Sequence, residues 1–328
     1  MNSLNNTNNI NYYIELGVKY HVNNQLERAQ QAYLEALAIE ADNALAHNNL
    51  GFIYVQQQQW DKAIEHLNLA INYDPNFGMA HTNLGQVLVL TDNTEQGFEH
   101  LTKALAINSE SVQGWDTFAS MLQLTGNLAQ AQQAWTTALT LAPENVELLV
   151  KLGICISLQG LHTQAITWYQ KAIAINLGAS VENTAITQAW TYLGISFFLI
   201  KQNASAEHAL QQALLLDGTE SNAHKHLALL YLTTQQLNKA IFHFEQQLAL
   251  DTHNDTCRLN LAVTLLATGE GELALHHLEA LIEAGQGSCK VDYYRGLCLR
   301  QMKQWQRAEK ILRKVALHKG EFSEKPLQ

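Results

Sequence analysis

The spacing of small residues constrains this chain more than any other feature of its sequence. A glycine or alanine recurs at one fixed interval over five positions, and after a single longer interval the same spacing resumes at four more. The nine positions are Gly17, Gly51, Gly85, Ala119, Gly153, Gly194, Ala228, Ala262 and Gly296. A fixed period of this length indicates an array of structural repeats, so the sequence predicts nine of them.

Each repeat has the pattern of two amphipathic helices. A second small residue lies twelve positions after each of the nine, as Ala63 does after Gly51, and a third follows seven residues later in the first six repeats. Leucine commonly precedes the first small residue, and a bulky residue often stands three positions after it, which forms one apolar helix face. Because small residues let two antiparallel helices come close, each repeat is predicted to be a helix pair.

The repeats are predicted to form a single solenoid over residues 10–318. It follows a disordered N-terminal segment over residues 1–9 and precedes a polar tail over residues 319–328. The longer interval, from Gly153 to Gly194, predicts a seven-residue insertion near residues 180–186, either as a longer loop or as an extension of the next helix. A functional role for it competes with a tolerated surface insertion, because lengthening a loop costs little. The repeats start near residues 10, 44, 78, 112, 146, 187, 221, 255 and 289.

Composition favours a nearly all-helical chain, since only three prolines occur in 328 residues and 47% of the residues are apolar. The first dozen residues have no signal-peptide pattern, and no apolar run is long enough to span a bilayer. A cytoplasmic location is therefore expected. The four cysteines form no C-x-x-C pair and are interpreted as reduced thiols within helices.

The sequence contains no pattern that predicts catalysis. Phosphate-binding glycine loops, the G-x-S-x-G nucleophile turn and the H-E-x-x-H zinc motif are all absent. The adjacent pair His276 and His277 and the spacing of Cys289 and Cys298 do not match a structural zinc site. No catalytic residue, metal, cofactor or small-molecule substrate is predicted, and the chain is not expected to be an enzyme.

Charge is distributed unevenly along the chain, whose formal net charge is −10. From Cys289 onward, ten Lys and Arg stand against four Asp and Glu, a net charge of +6, which leaves −16 for the chain before Cys289. The acidic body should repel nucleic acid, whereas the basic last repeat could attract it. The preferred interpretation of the basic final helix, residues 305–319, is a polar cap on the open end of the helix stack.

The repeat resembles the tetratricopeptide repeat family. The resemblance covers roughly residues 10–318 and implies an all-α, right-handed superhelical solenoid of antiparallel helix pairs. It also implies that the first helices of successive repeats line a concave groove for a peptide segment or helix of a partner protein. The fourth repeat matches the family pattern at Trp115, Phe118, Ala119, Leu122, Ala131, Trp135, Ala138 and Pro143.

Inward positions of the first helices are the candidate peptide-binding residues that the resemblance implies. Three of them are asparagines, similar to the asparagine ladder of the O-linked N-acetylglucosamine transferase repeats, although they could instead bond to their neighbours. An aromatic pair, Tyr192 and Phe198, is a candidate anchor beside Lys151, with plain packing between repeats as the alternative. The candidates are Asn49, Asn83, Thr117, Lys151, Tyr192, Phe198, His226 and Asn260.

The leading functional hypothesis is a scaffold or adaptor that binds a segment of another protein. The alternatives are an accessory or regulatory subunit of a modifying enzyme or of a secretion or assembly machine and, from another class, a nucleic-acid-binding protein that uses its basic last repeat. Chaperone-binding members of the family carry a carboxylate clamp, but Ile14 and Val18 stand where that clamp needs Lys and Asn. A chaperone tail is therefore not favoured as the ligand.

Overall fold

The computed structural model describes residues 2–176 and 184–317. Within these ranges every regular element is an α-helix, and consecutive helices pack in pairs, so the predicted all-α helix-pair architecture is confirmed. The helices are α1 Asn2–Val22, α2 Leu26–Ile39, α3 Ala44–Gln56, α4 Trp60–Tyr73, α5 Gly78–Leu90, α6 Thr94–Ile107, α7 Val112–Leu124, α8 Leu128–Leu141, α9 Val146–Leu158, α10 His162–Asn176, α11 Thr184–Leu199, α12 Asn203–Leu216, α13 Ser221–Thr233, α14 Leu237–Leu250, α15 Asp255–Thr268, α16 Gly271–Glu283, α17 Cys289–Gln301 and α18 Trp305–Leu317.

The helices belong to two compact units, Met1–Gly160 and Leu161–Gln328. The N-terminal unit contains α1–α9 and the C-terminal unit contains α10–α18. One continuous solenoid over residues 10–318 stays a prediction. None of the described helices has both the length and the apolar character that crossing a bilayer requires.

The N terminus differs from the expectation, because α1 begins at Asn2, within the segment predicted to be disordered over residues 1–9. Ile10 and Ile14 of α1 are buried against Ala36 and Ala46. Once a helix is held at such contacts, it lengthens readily, since each added residue gains one backbone hydrogen bond.

The break in the repeat period lies partly outside the described residues. Helix α11 has 16 residues, whereas α9 and α13 have 13 each, and its first turn includes the buried residues Ala185 and Ile186. Residues 184–186 of the predicted insertion therefore belong to a helix. Residues 180–183, like the predicted polar tail over 319–328, lie outside the described part of the chain.

Close helix contacts at small residues hold the helix pairs together. A Cβ atom built on Gly85 of α5 would lie 2.7 Å from the carbonyl oxygen of Gly97 and 2.7 Å from Cγ of Leu101, both in α6. The second small residue of most repeats is an alanine with no exposed surface, including Ala29, Ala63 and Ala131. The two helix backbones thus approach each other where the sequence period places its smallest side chains.

The turn inside each repeat requires a left-handed backbone residue, seven positions after the first small residue. All nine such turns in the described residues have a positive φ at this position, from 55° at Asn24 to 97° at Gly269. Glycine adopts this conformation at no steric cost, yet six of the nine positions carry another residue. The residues are Asn24, Gln58, Asp92, Gly126, Gly160, Lys201, Gln235, Gly269 and Lys303.

Two glycines of α5 test the importance of the close contact. We expect Gly85→Ala to destabilise the protein by about 1–3 kcal/mol, because its new Cβ would meet backbone atoms of α6 that cannot move independently. Gly78→Ala is the matched control, since the nearest atom to its Cβ would be Cγ2 of Ile107 at an ordinary 3.5 Å. Urea unfolding midpoints measure both effects, and equal midpoints for the two variants would contradict the packing argument.

Candidate peptide-binding groove

A cavity of about 760 Å³ runs along the first helices of the N-terminal unit and is here called the N-terminal groove. Its wall is formed mainly by α1, α3, α5 and α7, with contributions from α2 and α6. Three of the sequence-predicted residues, Asn49, Asn83 and Thr117, lie on this wall. Its other side-chain amides belong to Asn48, Gln86, Asn108 and Gln113.

The asparagines of the groove form a hydrogen-bonded row. Asn83 Nδ2 donates to Asn48 Oδ1 at 2.9 Å, which joins α5 to α3. Asn48 Nδ2 in turn donates to Asn49 Oδ1 at 3.2 Å, and Asn49 also shares a side-chain hydrogen bond with Tyr33. Burial raises the pKa of Tyr33 to about 12, so its phenol stays protonated at neutral pH. The row fixes the orientation of these amides before any ligand arrives.

Asn48 is the asparagine of the hydrogen-bonded row that the sequence analysis missed. It is only 1% exposed and lies directly before the predicted residue Asn49. Positions 48 and 49 are both asparagine, so the sequence alone gives no reason to prefer one over the other. One sequence feature could have identified Asn48. Its separation from Asn83 is one position more than the repeat period, and residues at that separation lie on facing sides of neighbouring first helices.

Thr117 contributes less to the groove surface than predicted. It is 8% exposed, and its Oγ1 accepts a hydrogen bond from Gln113 Nε2 at 3.4 Å. Gln113 itself is exposed, so it presents the amide of α7 to the cavity.

The N-terminal groove has no charged wall. Among the described residues that line it, none is aspartate, glutamate, lysine or arginine. The lining also includes His21 and apolar side chains such as Phe52, Phe77 and Met79, and Met79 is 59% exposed. The cavity therefore offers neutral hydrogen-bonding groups and accessible apolar surface.

Lys151 of α9 is held by an ion pair. Its Nζ lies 2.6 Å from Asp116 Oδ2, and Asp116 Oδ1 accepts a hydrogen bond from Trp135 Nε1 at 2.8 Å. Asp116 side-chain exposure is only 14%, so this carboxylate is well shielded. The Lys151 charge is largely compensated, which weakens its case as a free cationic contact for a partner.

Lys151 and Asn83 repeat one structural connection. In each case a residue two positions before the first small residue donates to a residue 35 positions earlier, from Asn83 to Asn48 and from Lys151 to Asp116. The connection joins the first helix of one repeat to that of the preceding repeat. The predicted ladder positions therefore use part of their hydrogen-bonding capacity within the fold.

The C-terminal unit places the remaining candidates in two aromatic contacts. Tyr192 stacks on the buried ring of Tyr169 with centroids 6.2 Å apart, and Phe198 meets His226 edge to face at 6.2 Å. Burial lowers the pKa of His226 to about 4, so its ring is neutral at pH 7. All three candidates are half-buried, as is Asn260.

Two aromatic residues of α11 are only partly buried. Trp190 and Phe197 of α11 pack against the core of the C-terminal unit but remain partly exposed. Both line an open apolar cavity of about 560 Å³ with His208 of α12. The small side chains of Ala204, Ser205 and Ala209 leave this space unfilled.

Three of the four cysteines, Cys155, Cys257 and Cys298, are buried and lack the properties of reactive thiols. Burial raises the pKa of the Cys155 thiol. It also raises the pKa of Cys257 to about 12 and that of Cys298 to about 11. A thiol that stays protonated at pH 7 is a poor nucleophile and a poor metal ligand. Over the described residues no cluster of three or more His, Cys, Asp or Glu side chains forms a metal site.

Two solved structures share a similar fold with this chain. The chain is similar to one in the crystal structure of the APC/C hetero-tetramer Cut9–Hcn1, with 20% identity and a TM-score of 0.61. The match covers 76% of this chain and 48% of that chain, so this protein spans about half the length of that relative. The C-terminal part of a TPR repeat-containing protein from Cytophaga hutchinsonii matches with 12% identity and a TM-score of 0.55, over 76% of this chain and 99% of that chain. At these identities the likeness shows the fold alone.

Sequence models of one family match most of the chain. Models described as TPR repeat match residues 17–58 and 53–91, and models described as tetratricopeptide repeat match residues 125–179, 232–297 and 290–317. No curated protein sequence matches. The matched segments together with the helix pairs show that the chain belongs to the tetratricopeptide repeat family.

Proposed function

We propose that this protein is a scaffold or adaptor that holds an extended segment of a partner protein in the N-terminal groove. The observation that carries the proposal is the fixed row of side-chain amides along an uncharged cavity. Proteins of this family generally mediate protein–protein interactions and are typically non-catalytic. The partner segment would lie across α3, α5 and α7.

The amide row suits the backbone of an extended peptide. Each peptide unit offers one N–H and one C=O, and a carboxamide side chain can both donate and accept. After its bond to Asn48, Asn83 still has one N–H and its Oδ1 available. Backbone contacts of this kind provide affinity without reading sequence, and apolar groups such as Phe52 and Ile107 would select the side chains.

The absence of charged lining side chains defines the chemistry of the segment. An ionised side chain placed in this groove would lose water without gaining an opposite charge, which is unfavourable. The bound stretch should therefore be uncharged, with polar or apolar side chains. Charged residues of the partner would lie outside the groove.

Removal of two rungs of the amide row tests the proposal. We expect Asn49→Ala with Asn83→Ala to weaken binding by about 10–50-fold, since each neutral hydrogen bond contributes about 1 kcal/mol. The ligands are uncharged ten-residue peptides selected from a random library on the intact protein. Fluorescence polarisation gives their Kd for each variant.

The matched control replaces two exposed asparagines of α4, Asn68→Ala with Asn72→Ala. This variant should bind like the wild type. Unfolding midpoints are measured for both variants, so that loss of the Asn83–Asn48 bond is not mistaken for misfolding. Unchanged peptide affinity in a folded groove variant would refute the amide row as the binding surface.

Salt dependence separates protein binding in the neutral groove from nucleic-acid binding by the basic last repeat. We expect the peptide Kd to change by less than about twofold between 50 and 500 mM NaCl, because no ion pair forms in the groove. A 20-base-pair DNA duplex serves as the second probe, since phosphate-based binding weakens steeply with salt. Tight, salt-sensitive DNA binding together with no selected peptide would favour the nucleic-acid alternative.

An accessory or regulatory subunit would use the same groove, and co-purification with an enzyme or a secretion complex would distinguish it from an independent adaptor.

Five candidates outside the N-terminal groove stay predicted binding residues: Lys151, Tyr192, Phe198, His226 and Asn260. Their half-buried positions are compatible with contact to a partner and equally with packing inside the unit.

A further inference from the structure

Three repeats contain the same pair of hydrogen-bonded histidines. One histidine belongs to the first helix and the other lies 19 positions later in the second helix, with Nδ1 atoms 2.9 Å apart in all three pairs. The first-helix histidines are 6% exposed or less, and the second-helix histidines are half-buried. The pairs are His47 with His66, His81 with His100, and His224 with His243.

Backbone carbonyl groups determine which ring nitrogen of each pair carries a hydrogen. His47 Nε2 lies 2.9 Å from the carbonyl oxygen of Ala41, and His81 and His224 make the equivalent contacts at 3.2 Å and 3.1 Å. A carbonyl oxygen only accepts, so Nε2 of each first-helix ring carries a hydrogen. In the neutral ring its Nδ1 must then accept, and the second-helix histidine must donate from Nδ1.

The bond to the carbonyl group also occurs in two repeats that lack the histidine pair. Trp115 Nε1 donates to Ser109 O at 2.9 Å, and Arg258 donates to Thr252 O at 2.6 Å, from the position that His47 occupies in its repeat. The second-helix position is alanine in three other repeats, at Ala32, Ala134 and Ala209. The bond to the carbonyl group therefore forms without the second histidine.

A shared hydrogen bond explains the geometry better than a metal ion. A metal at about 2.0–2.1 Å from both nitrogens would require their lone pairs to converge on a third point. Here an N–H group of one ring points at the lone pair of the other across 2.9 Å. No third His, Cys, Asp or Glu joins any of these pairs in the described residues.

The surroundings oppose additional positive charge on the pairs. Tyr73 stacks on His47 and Tyr54 lies against His66, while Tyr231 stacks on His243. Burial is the main cause that lowers the pKa of His66, His81 and His100, and it lowers that of His243 to about 4. The partner histidine lowers the pKa further in His66, His100 and His243.

Charged neighbours modify this effect in each pair. Glu65 favours the charged form of His66, and Glu99 favours that of His100. Lys103 disfavours charge on both His81 and His100, and Lys239 disfavours it on His243. Glu207 lies beyond the third pair, where it accepts a hydrogen bond from Tyr231 and is 3.9 Å from Lys239.

We propose that the three histidine pairs make this protein acid-sensitive, so that uptake of protons by the pairs loosens the second, third and seventh repeats. A proton on Nδ1 of the first-helix ring would place two N–H groups face to face, which breaks the bond. A further proton on Nε2 of the second-helix ring would add repulsion between two charges. In the unfolded chain the same histidines accept protons freely near pH 6.5.

The direction of the pH dependence follows from proton linkage. The folded-state pKa of His66, His81, His100 and His243 is lower than the unfolded value, so the unfolded chain binds more protons as the pH falls. The stabilising contribution is present above about pH 6.5 and is lost progressively below it. For the third pair the loss continues down towards the pKa of His243, about 4.

Two of the pairs join α3 to α4 and α5 to α6, and α3 and α5 carry the amide row. His47 is the neighbour of Asn48 in α3, and His81 lies two residues before Asn83 in α5. Acid would therefore weaken ligand binding in the N-terminal groove, and this consequence rests on the proposed function. The acid sensitivity itself does not depend on any ligand.

The test compares two triple variants of the full chain. The first, His66→Ala with His100→Ala and His243→Ala, replaces each second-helix histidine by the residue that other repeats use. The control, His208→Ala with His253→Ala and His276→Ala, removes three exposed histidines. Between pH 7.5 and 5.0 we expect the thermal unfolding midpoint of the wild type and of the control to fall by about 5 °C more than that of the first variant.

Nuclear magnetic resonance of the wild type provides a second readout that needs no variant. Proton–nitrogen correlations of ¹⁵N-labelled histidine rings should show three Nδ1–H tautomers at pH 7.5, assigned to His66, His100 and His243. Rings of those residues in the Nε2–H form would overturn the proposal. An acid-induced loss of stability as large in the first variant as in the wild type would overturn it too. If that variant does not fold, the tautomers decide.

Discussion

The close approach of two helix backbones within a repeat is the contact on which the rest of this structure depends. Short helices of 13 or 14 residues are marginally stable alone, so each needs a neighbour to cover its apolar face. Glycine and alanine at the contact allow the backbones to meet, as Gly85 and Gly97 do across α5 and α6. Bulky neighbours such as Leu101 then fill the space around them.

A second connection joins successive repeats and shapes the groove. The bonds from Asn83 to Asn48 and from Lys151 to Asp116 run between first helices at equivalent positions. The neutral version, in repeats two and three, leaves oriented amides on an uncharged wall. The ionic version, in repeats four and five, buries most of a carboxylate and compensates its charge. One repeat position can thus support a binding surface or a structural ion pair.

Histidine shows the same variation at one position within the helix pairs. The first-helix side chain that donates a hydrogen bond to a carbonyl oxygen of the preceding turn is histidine, tryptophan or arginine in different repeats. Where the second helix also provides a histidine, the two rings share one hydrogen bond inside a half-buried space. Stability of those repeats and their response to pH then depend on the same two rings.

The sequence by itself determined the repeat period, the helix pairs and the buried small residues, because these follow from local spacing and from the size of single side chains. The family resemblance implied that Asn49, Asn83 and Thr117 point inward, and all three line the same cavity. Only the tertiary structure decided that Asn48 links the row, that Asp116 compensates Lys151, and that six non-glycine residues adopt a left-handed turn. It alone paired His47 with His66. The three side-chain contacts depend on which residues meet between helices, and the spacing within one helix does not fix that. The left-handed residues are fixed by the turn that each helix pair requires.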